Sequence, residues 1–373
     1  MKKLLFATCC IAFLSGSLGA AAQKKSAAKN VLTQTLKGKS WSADNGNGTF
    51  TNPLFYDEFS DPDIIRVGED YYLAGTTMHS VPGLVVLHSK DLVNWEFSSY
   101  CFDRFDDSDD FNLRNGKEAY GQGIWAPAIR YHNGKFYIFS NINGHGLQVY
   151  ISDSAKGPWT HHKVNGDIYD LSVLFDEDGK IYAVHKYGNV TVTELKPDLS
   201  GPVEGSSKVV IPEGNAMGEG HHVYKINGMY YILSADYSPM GRMQCARSKS
   251  IWGPYETCVI SERESYGYAA GWSVGNMGIG RPLPEDGFSF QNNKPNGLNL
   301  GCATIHQGGI VQAPDGKWWG VSMQDFNAVG RTVCLSPITW VDGWPYFGLE
   351  KNLGRYPRTW FKPNDMVKTP QAP

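Results

Sequence analysis

The stretch WAPAIRYHNGKFYIFS, residues 125–140, sets two aromatic-rich segments on either side of Asn133-Gly134. Asn-Gly between alternating apolar flanks is a strong hairpin signal, because both turn residues readily take positive φ. The pattern recurs as DPDIIRVGEDYYLAG (61–75), DLSVLFDEDGKIYAVH (170–185), EGHHVYKINGMYYILS (219–234) and HQGGIVQAPDGKWWGVS (306–322). A second hairpin follows each unit, closed by SKDLVNWEF, SDSAKGPWT, KPDLSGPV, SKSIWGPYE or SPITWVDGWP. Each unit therefore supplies about four strands, and helix-period patterns are almost absent. Five self-similar four-stranded units predict an all-β, five-bladed β-propeller, in which radial repetition protects most sheet edges. The repeat is loose, with its longest insertions at 101–121 and 262–301.

The ends of the chain read differently. MKKLLFATCCIAFLSGSLGAAAQKK carries two lysines, an apolar run and small residues, which predicts a signal peptide over 1–22 and export to periplasm or medium. Cys9 and Cys10 are read as part of that leader, and its apolar run is too short for a membrane span. Residues 23–40 read as a flexible segment, 41–361 as the propeller and 362–373 as a polar, Pro-rich tail. Beyond the leader stand Cys101, Cys245, Cys258, Cys302 and Cys334, too sparse for a disulfide framework and without CxxC spacing. Cys245 and Cys258 could bridge; buried thiols are the plainer reading. A net charge of −3 without a basic run argues against a nucleic-acid partner. The acidic run DRFDDSDDF (103–111) lacks EF-hand spacing and reads as a solvated loop.

Counting back from the aromatic markers Tyr72, Tyr137, Tyr182, Tyr231 and Trp319 reaches Asp61, Trp125, Asp170, Glu219 and His306 at a near-constant distance. The first strand of a propeller blade lines the central channel, so these five residues are expected to converge at one end of it. A single Asp here would be an ordinary turn residue. Glu, Trp and His are not turn formers, and three clustered carboxylates are costly unless function uses their perturbed pKa values. Paired carboxylates beside an aromatic platform are the equipment for glycosidic bond hydrolysis. On that reading Glu219 is the general acid, Asp61 the general base, Asp170 the residue that orients the acid and raises its pKa, and Trp125 a sugar platform. Asp63, after Pro62, reads as a turn residue outside the set.

These segments, with VGRTVCLSPITWVDGWP (329–345), closely resemble glycoside hydrolase family 43 from about Trp41 to Phe361. The resemblance implies a five-bladed propeller and hydrolysis with inversion. It implies Asp61 as base, Glu219 as acid and Asp170 as pKa modulator. It also implies His306 at the channel centre, near a water or a calcium ion, and Arg331 reaching the same pocket; no cofactor is required. Two departures stand out. Asp170 is followed by Leu171 where the family usually has Pro, and the C-terminal β-sandwich that many relatives carry is not expected in this chain.

His79 and Trp272 lie on loops expected to rim the pocket. His185 is expected in the core, and His221 and His222 alternate, one toward the channel and one into the blade. Trp95, Trp159, Trp252, Trp340 and Trp344 read as fillers between blades. The expected activity is removal of arabinose or xylose from plant hemicellulose-derived oligosaccharides or polysaccharides, of the α-L-arabinofuranosidase or β-xylosidase kind. For inversion the acid and base should stand about 6.5–9.5 Å apart. The alternatives are a non-catalytic carbohydrate-binding propeller, an endo-acting arabinanase- or xylanase-like member of the family, and a protein scaffold, which the carboxylate ring disfavours. The retaining propellers of fructan hydrolysis are set aside because their Arg-Asp-Pro motif is missing at Asp170.

Overall fold

Each repeat folds into its own antiparallel sheet. The computed structural model describes residues 42–363 apart from 79–80, 106–107, 120, 216, 238–239, 262–264, 269–301, 326–329 and 355–357. The leader, the segment 23–40, His79 and Trp272 lie outside the described residues. Blade I is built from Ser60–Val67, Asp70–Thr76, Gly83–Ser89 and Glu96–Phe102, and blade II from Ile124–His132, Lys135–Ile142, Gly146–Ser152 and Thr160–Val164. Blade III holds Ser172–Phe175, Ile181–His185, Val190–Leu195 and Lys208–Ile211; blade IV holds His222–Ile226, Met229–Tyr237, Met240–Ser248 and Glu256–Val259. Blade V is larger. It runs Ser265–Tyr268, Cys302–His306, Trp318–Asp325, Arg331–Val341 and Trp344–Phe347, with Ile310–Gln312 also paired to Trp318–Asp325. Among the described residues the only helical turn is the 3-10 segment Glu350–Asn352, and no helix is long and apolar enough to cross a membrane.

Five apolar clusters show why the sheets form a ring. Ile129 and Ile138 of blade II pack on Ala74 and Val86 of blade I, and Val173 and Ala183 of blade III on Phe139 and Val149 of blade II. Blades III and IV meet through Val184, Val192, Val223 and Ile232, and blades IV and V through Leu233, Cys245, Cys334 and Ile338. Ile64 and Leu73 of blade I close the circle against Trp319, Val321 and Val333 of blade V. A sheet covered on both faces needs apolar side chains on both, so Ile181–His185 is buried throughout. Outer strands such as Thr160–Val164 are mostly exposed. Thr49–Thr51 pairs with Thr359–Phe361, and Phe50 and Trp360 cover the junction of blades V and I. Lys362, assigned to the tail by sequence, is held in the fold by Asp44 at 2.6 Å.

The inter-blade role expected of the tryptophans is met where contacts are described. Trp159 donates to Ser99 Oγ across blades I and II, while Trp252 lies edge-on to Tyr182 and Trp340 edge-on to Tyr231. Cys245 and Cys258 face each other in the blade IV ladder, yet both are free thiols. The acidic loop is packed rather than merely solvated: Phe111 is buried, and Phe105 and Phe111 both meet the His145 ring.

The reading of Asp63 needs correction. It lies inside the strand Ser60–Val67, is 1% exposed, and accepts from Ile129 N at 2.9 Å and Arg130 Nη1 at 2.5 Å. Arg130 continues to Ser172 Oγ and Val173 O in blade III, and Ser172 Oγ accepts from Val223 N in blade IV. Tyr224 Oη then accepts from Ile310 N in blade V. A buried polar chain thus crosses every blade boundary from I to V, and Asp63 starts it. Backbone groups at these strand edges find partners across blades instead of being buried unpaired.

Candidate active site

Local backbone irregularities aim the carboxylates. In blade I the ladder shifts register between Ser60 and Asp63, and in blade II between Ile124 and Pro127. The residues thrown out of register are Asp61-Pro62 and Trp125-Ala126, so Asp61 and Trp125 are structural equivalents. A bulge leaves its extra residue unpaired and re-aims its side chain. Asp61 takes φ 51°, and the same left-handed conformation recurs at Asp170 (52°), Gly220 (68°) and Gln307 (50°). Non-glycine residues adopt this region at a cost of about 1–3 kcal/mol, and such outliers gather at functional sites. The equivalence by backbone therefore pairs Asp61 and Asp170 with Gly220 and Gln307. Glu219 and His306 each precede the turn by one residue.

These turns meet at a cavity of about 420 Å³ lined by Asp61, Trp125, Asp170, Glu219, Arg331 and Tyr169, with Met78, Asn141 and Gln307 among the remaining walls. Asp61 is buried and pinned from one side. Ser60 Oγ donates to its Oδ2 at 2.6 Å, while Arg331 Nη1 lies 3.5 Å from both its oxygens and donates to Ser60 Oγ at 3.0 Å. Asp170 is fixed through its backbone, whose N–H donates to Asn141 Oδ1 at 3.0 Å. Its Oδ2 accepts from Gly220 N at 2.8 Å. Gly220 is required on two counts: its φ is positive, and a Cβ would collide with Gln307. Glu219 is half-buried, its carbonyl accepting from Ala235 N and its Oε2 accepting from Tyr169 Oη at 2.9 Å.

Burial, and then the Glu219 and Asp61 carboxylates, push Asp170 up to about 8; the Gly220 N–H and Arg331 oppose the rise without cancelling it. Three carboxylates in one small cavity cannot all shed their protons at neutral pH. Burial and the neighbouring carboxylates thus favour a proton on Asp170 beside Glu219, and a cluster that retains a proton is what acid catalysis needs.

The structure thus brings together Asp61, Asp170, Glu219, Trp125 and Arg331. His306 lies at the end of the strand Cys302–His306, but its side chain, like His79, is outside the described residues. His185 is buried on Thr193 Oγ1 as expected, and burial lowers it to about 4. His221 turns toward Ser234 and Lys186 O, whereas His222 faces blade I at Pro62 O and Asp63. No group of three or more His, Cys, Asp or Glu side chains that could hold a metal occurs among the described residues, which do not include the side chain of His306. Ser60, Tyr169 and Asn141 were not singled out in the sequence. Only the residue before each left-handed turn could have signalled Tyr169, and that turn is not legible from residue types when Asp occupies it.

The sequence pattern of the glycosyl hydrolases family 43 matches residues 50–267, a span that contains all three carboxylates. The chain belongs to that family. This family 43 chain is 33% identical over 332 residues to a non-reducing-end α-L-arabinofuranosidase of Bacteroides ovatus, a match covering 85% of the chain and 56% of the relative. It is 29% identical over 386 residues to a β-xylosidase of Formosa agariphila, covering 92% and 58%. The chain spans little more than half the length of these relatives. Among solved structures, a bifunctional GH43-CE protein of Bacteroides eggerthii superposes with TM-score 0.68 at 33% identity, over 84% of this chain and 37% of that one.

Proposed function

We propose that this family 43 chain is an inverting glycosidase that removes terminal arabinose or xylose from hemicellulose-derived glycans. The observation that carries the proposal is the meeting of Asp61, Asp170 and Glu219, from three different blades, in one cavity walled by Trp125. In the reaction Asp61 takes a proton from water as the water oxygen bonds the anomeric carbon. The bond from that carbon to the glycosidic oxygen breaks, and Glu219 supplies the proton to the departing oxygen. Trp125 offers a face for a sugar ring, and Arg331 holds Asp61 through Ser60. A cavity of about 420 Å³ is near the lower end of the roughly 300–1,000 Å³ range for small-molecule sites, which suits a chain end better than a chain interior. The relatives acting as an arabinofuranosidase and a β-xylosidase support the choice of sugars. Export through the leader pattern of residues 1–22 belongs to the same proposal, since a polymeric substrate lies outside the cell.

The test is to follow nitrophenyl arabinofuranoside, nitrophenyl xyloside and arabinoxylan fragments by proton NMR. The expected first-formed product is the monosaccharide of inverted anomeric configuration. Retained configuration overturns the inverting assignment, and release of internal fragments overturns the terminal one. Binding of the fragments without turnover overturns the enzyme reading in favour of a carbohydrate-binding propeller.

Asp170→Asn separates charge from shape. Removing a neighbouring negative charge makes Glu219 easier to ionise, so the alkaline limb of kcat/KM should move down by about one pH unit. Stability should move the opposite way. A carboxylate at about 8 in the fold and about 3.9 unfolded binds more protons in the native state, so its contribution falls as pH rises between those values. The variant should therefore gain stability relative to wild type at pH 8 compared with pH 4, read from urea midpoints. An unchanged alkaline limb would remove Asp170 from its assigned role.

A further inference from the structure

Tyr169 carries nothing of the roles assigned so far, yet its side chain bonds the proton donor directly. Its hydroxyl donates to Glu219 Oε2 at 2.9 Å. Its ring stands edge-on to Trp125, with centroids 5.8 Å apart and planes at 86°, which fixes the rotation of the phenol. Its carbonyl accepts from Lys186 N at 2.9 Å, and the next residue is tied to Asn141. The hydroxyl therefore arrives at Glu219 from a held ring and a held backbone. A neutral phenol has one proton to give. Burial, with the Glu219 and Asp170 carboxylates beside it, raises its pKa and keeps that proton in place.

We propose that Tyr169 is a positioning residue for Glu219, whose hydroxyl occupies Oε2 and so leaves the transferable proton on Oε1. The proposal rests on the reading of Glu219 as general acid. In a protonated carboxyl group one oxygen carries the hydrogen and the other is free to accept. A donor fixed on Oε2 makes that oxygen the acceptor, so the acidic hydrogen resides on Oε1. Without the phenol Oε2 loses the donor that makes it the acceptor, and the preference of the proton for Oε1 is lost. In the proton-transfer step the Oε1–H bond breaks, the hydrogen bonds the leaving oxygen, and the resulting negative charge is stabilised at Oε2 by the Tyr169 hydroxyl. Hydrogen bonds to charged groups are stronger than neutral ones, so this contact strengthens as the transition state forms.

The test is Tyr169→Phe, read against leaving-group ability. With an alkyl glycoside or a disaccharide, whose departing oxygen needs full protonation, kcat/KM should fall by about tenfold to a hundredfold. With a 2,4-dinitrophenyl glycoside, which departs as a stable anion, the loss should shrink to a few-fold. A merely structural role would lower both rates alike, so an equal loss on the two substrates overturns the inference, as does no loss on either. Glu219→Gln on the same pair keeps the two levels apart. If that variant shows the leaving-group pattern and Tyr169→Phe does not, the acid stands and the positioning role falls. If wild-type protein turns over neither glycoside, the glycosidase reading itself fails.

Discussion

Glu219→Ala should lower kcat/KM on xylo- or arabino-oligosaccharides by about a thousandfold, the middle of the range for loss of a general acid. The effect should lie mainly in kcat, because the carboxyl acts on the departing oxygen in the transition state more than on bound sugar. Sugar binding by Trp125 and the cavity walls should persist, so calorimetric affinity for a product monosaccharide should change little. The chemistry demands a group still protonated near neutral pH, and the cavity supplies it. Asp170 is pushed up to about 8 by burial and by Glu219 and Asp61, which shows that the cluster holds a proton where isolated carboxylates would not. Retention of more than a tenth of wild-type activity on an unactivated glycoside would reject Glu219 as the acid. Glu219→Gln is the companion variant, since its amide oxygen can still accept from Tyr169 and preserve the local packing.

The architecture was legible because it is written five times. Each hairpin repeats a turn signal between apolar flanks, and Asn227-Gly228, with φ 51° and 76°, folds as the residue types require. The counting that linked Asp61, Trp125, Asp170 and Glu219 worked for the same reason, as repetition turns a weak local signal into a strong comparative one. Its errors are equally physical. Bulges and left-handed turns displace the register by a residue, so Glu219 is not equivalent to Asp61 by backbone; Gly220 is. Tyr169 was invisible because a residue before an Asp in a turn carries no chemical mark until the turn's φ is known. Asp63 was misread because Asp-Pro-Asp is good turn chemistry on its own. The partner that decides its role, Arg130, lies in another blade, and nothing local to residues 59–75 points to it.

That misreading sets up a large stability effect. Asp63→Ala should destabilise the propeller by about 3–5 kcal/mol, the usual cost of leaving one member of a buried ion pair behind. Asp63 and Arg130 are 2% and 13% exposed by side chain and stand 2.5 Å apart. Removing the carboxylate leaves a guanidinium with its charge unmatched and orphans Ile129 N–H, which donates to the same oxygen. The loss is amplified by position. Arg130 bridges to Ser172 and Val173, Ser172 takes Val223 N–H, and the first strands of blades I to IV lean on this one chain. The drop in thermal midpoint should be on the order of 10 °C. The Lys135–Asp153 pair, 2.7 Å apart with side chains 48% and 82% exposed, supplies the control: Asp153→Ala should leave the midpoint where it is, because solvent already screens that contact. Equal midpoints for the two variants would mean that the hub chain does not bind the blades together. A fall confined to Asp63→Ala would show that distance alone says little about an ion pair, and that the carboxylate beside the base holds the ring on which the base is displayed.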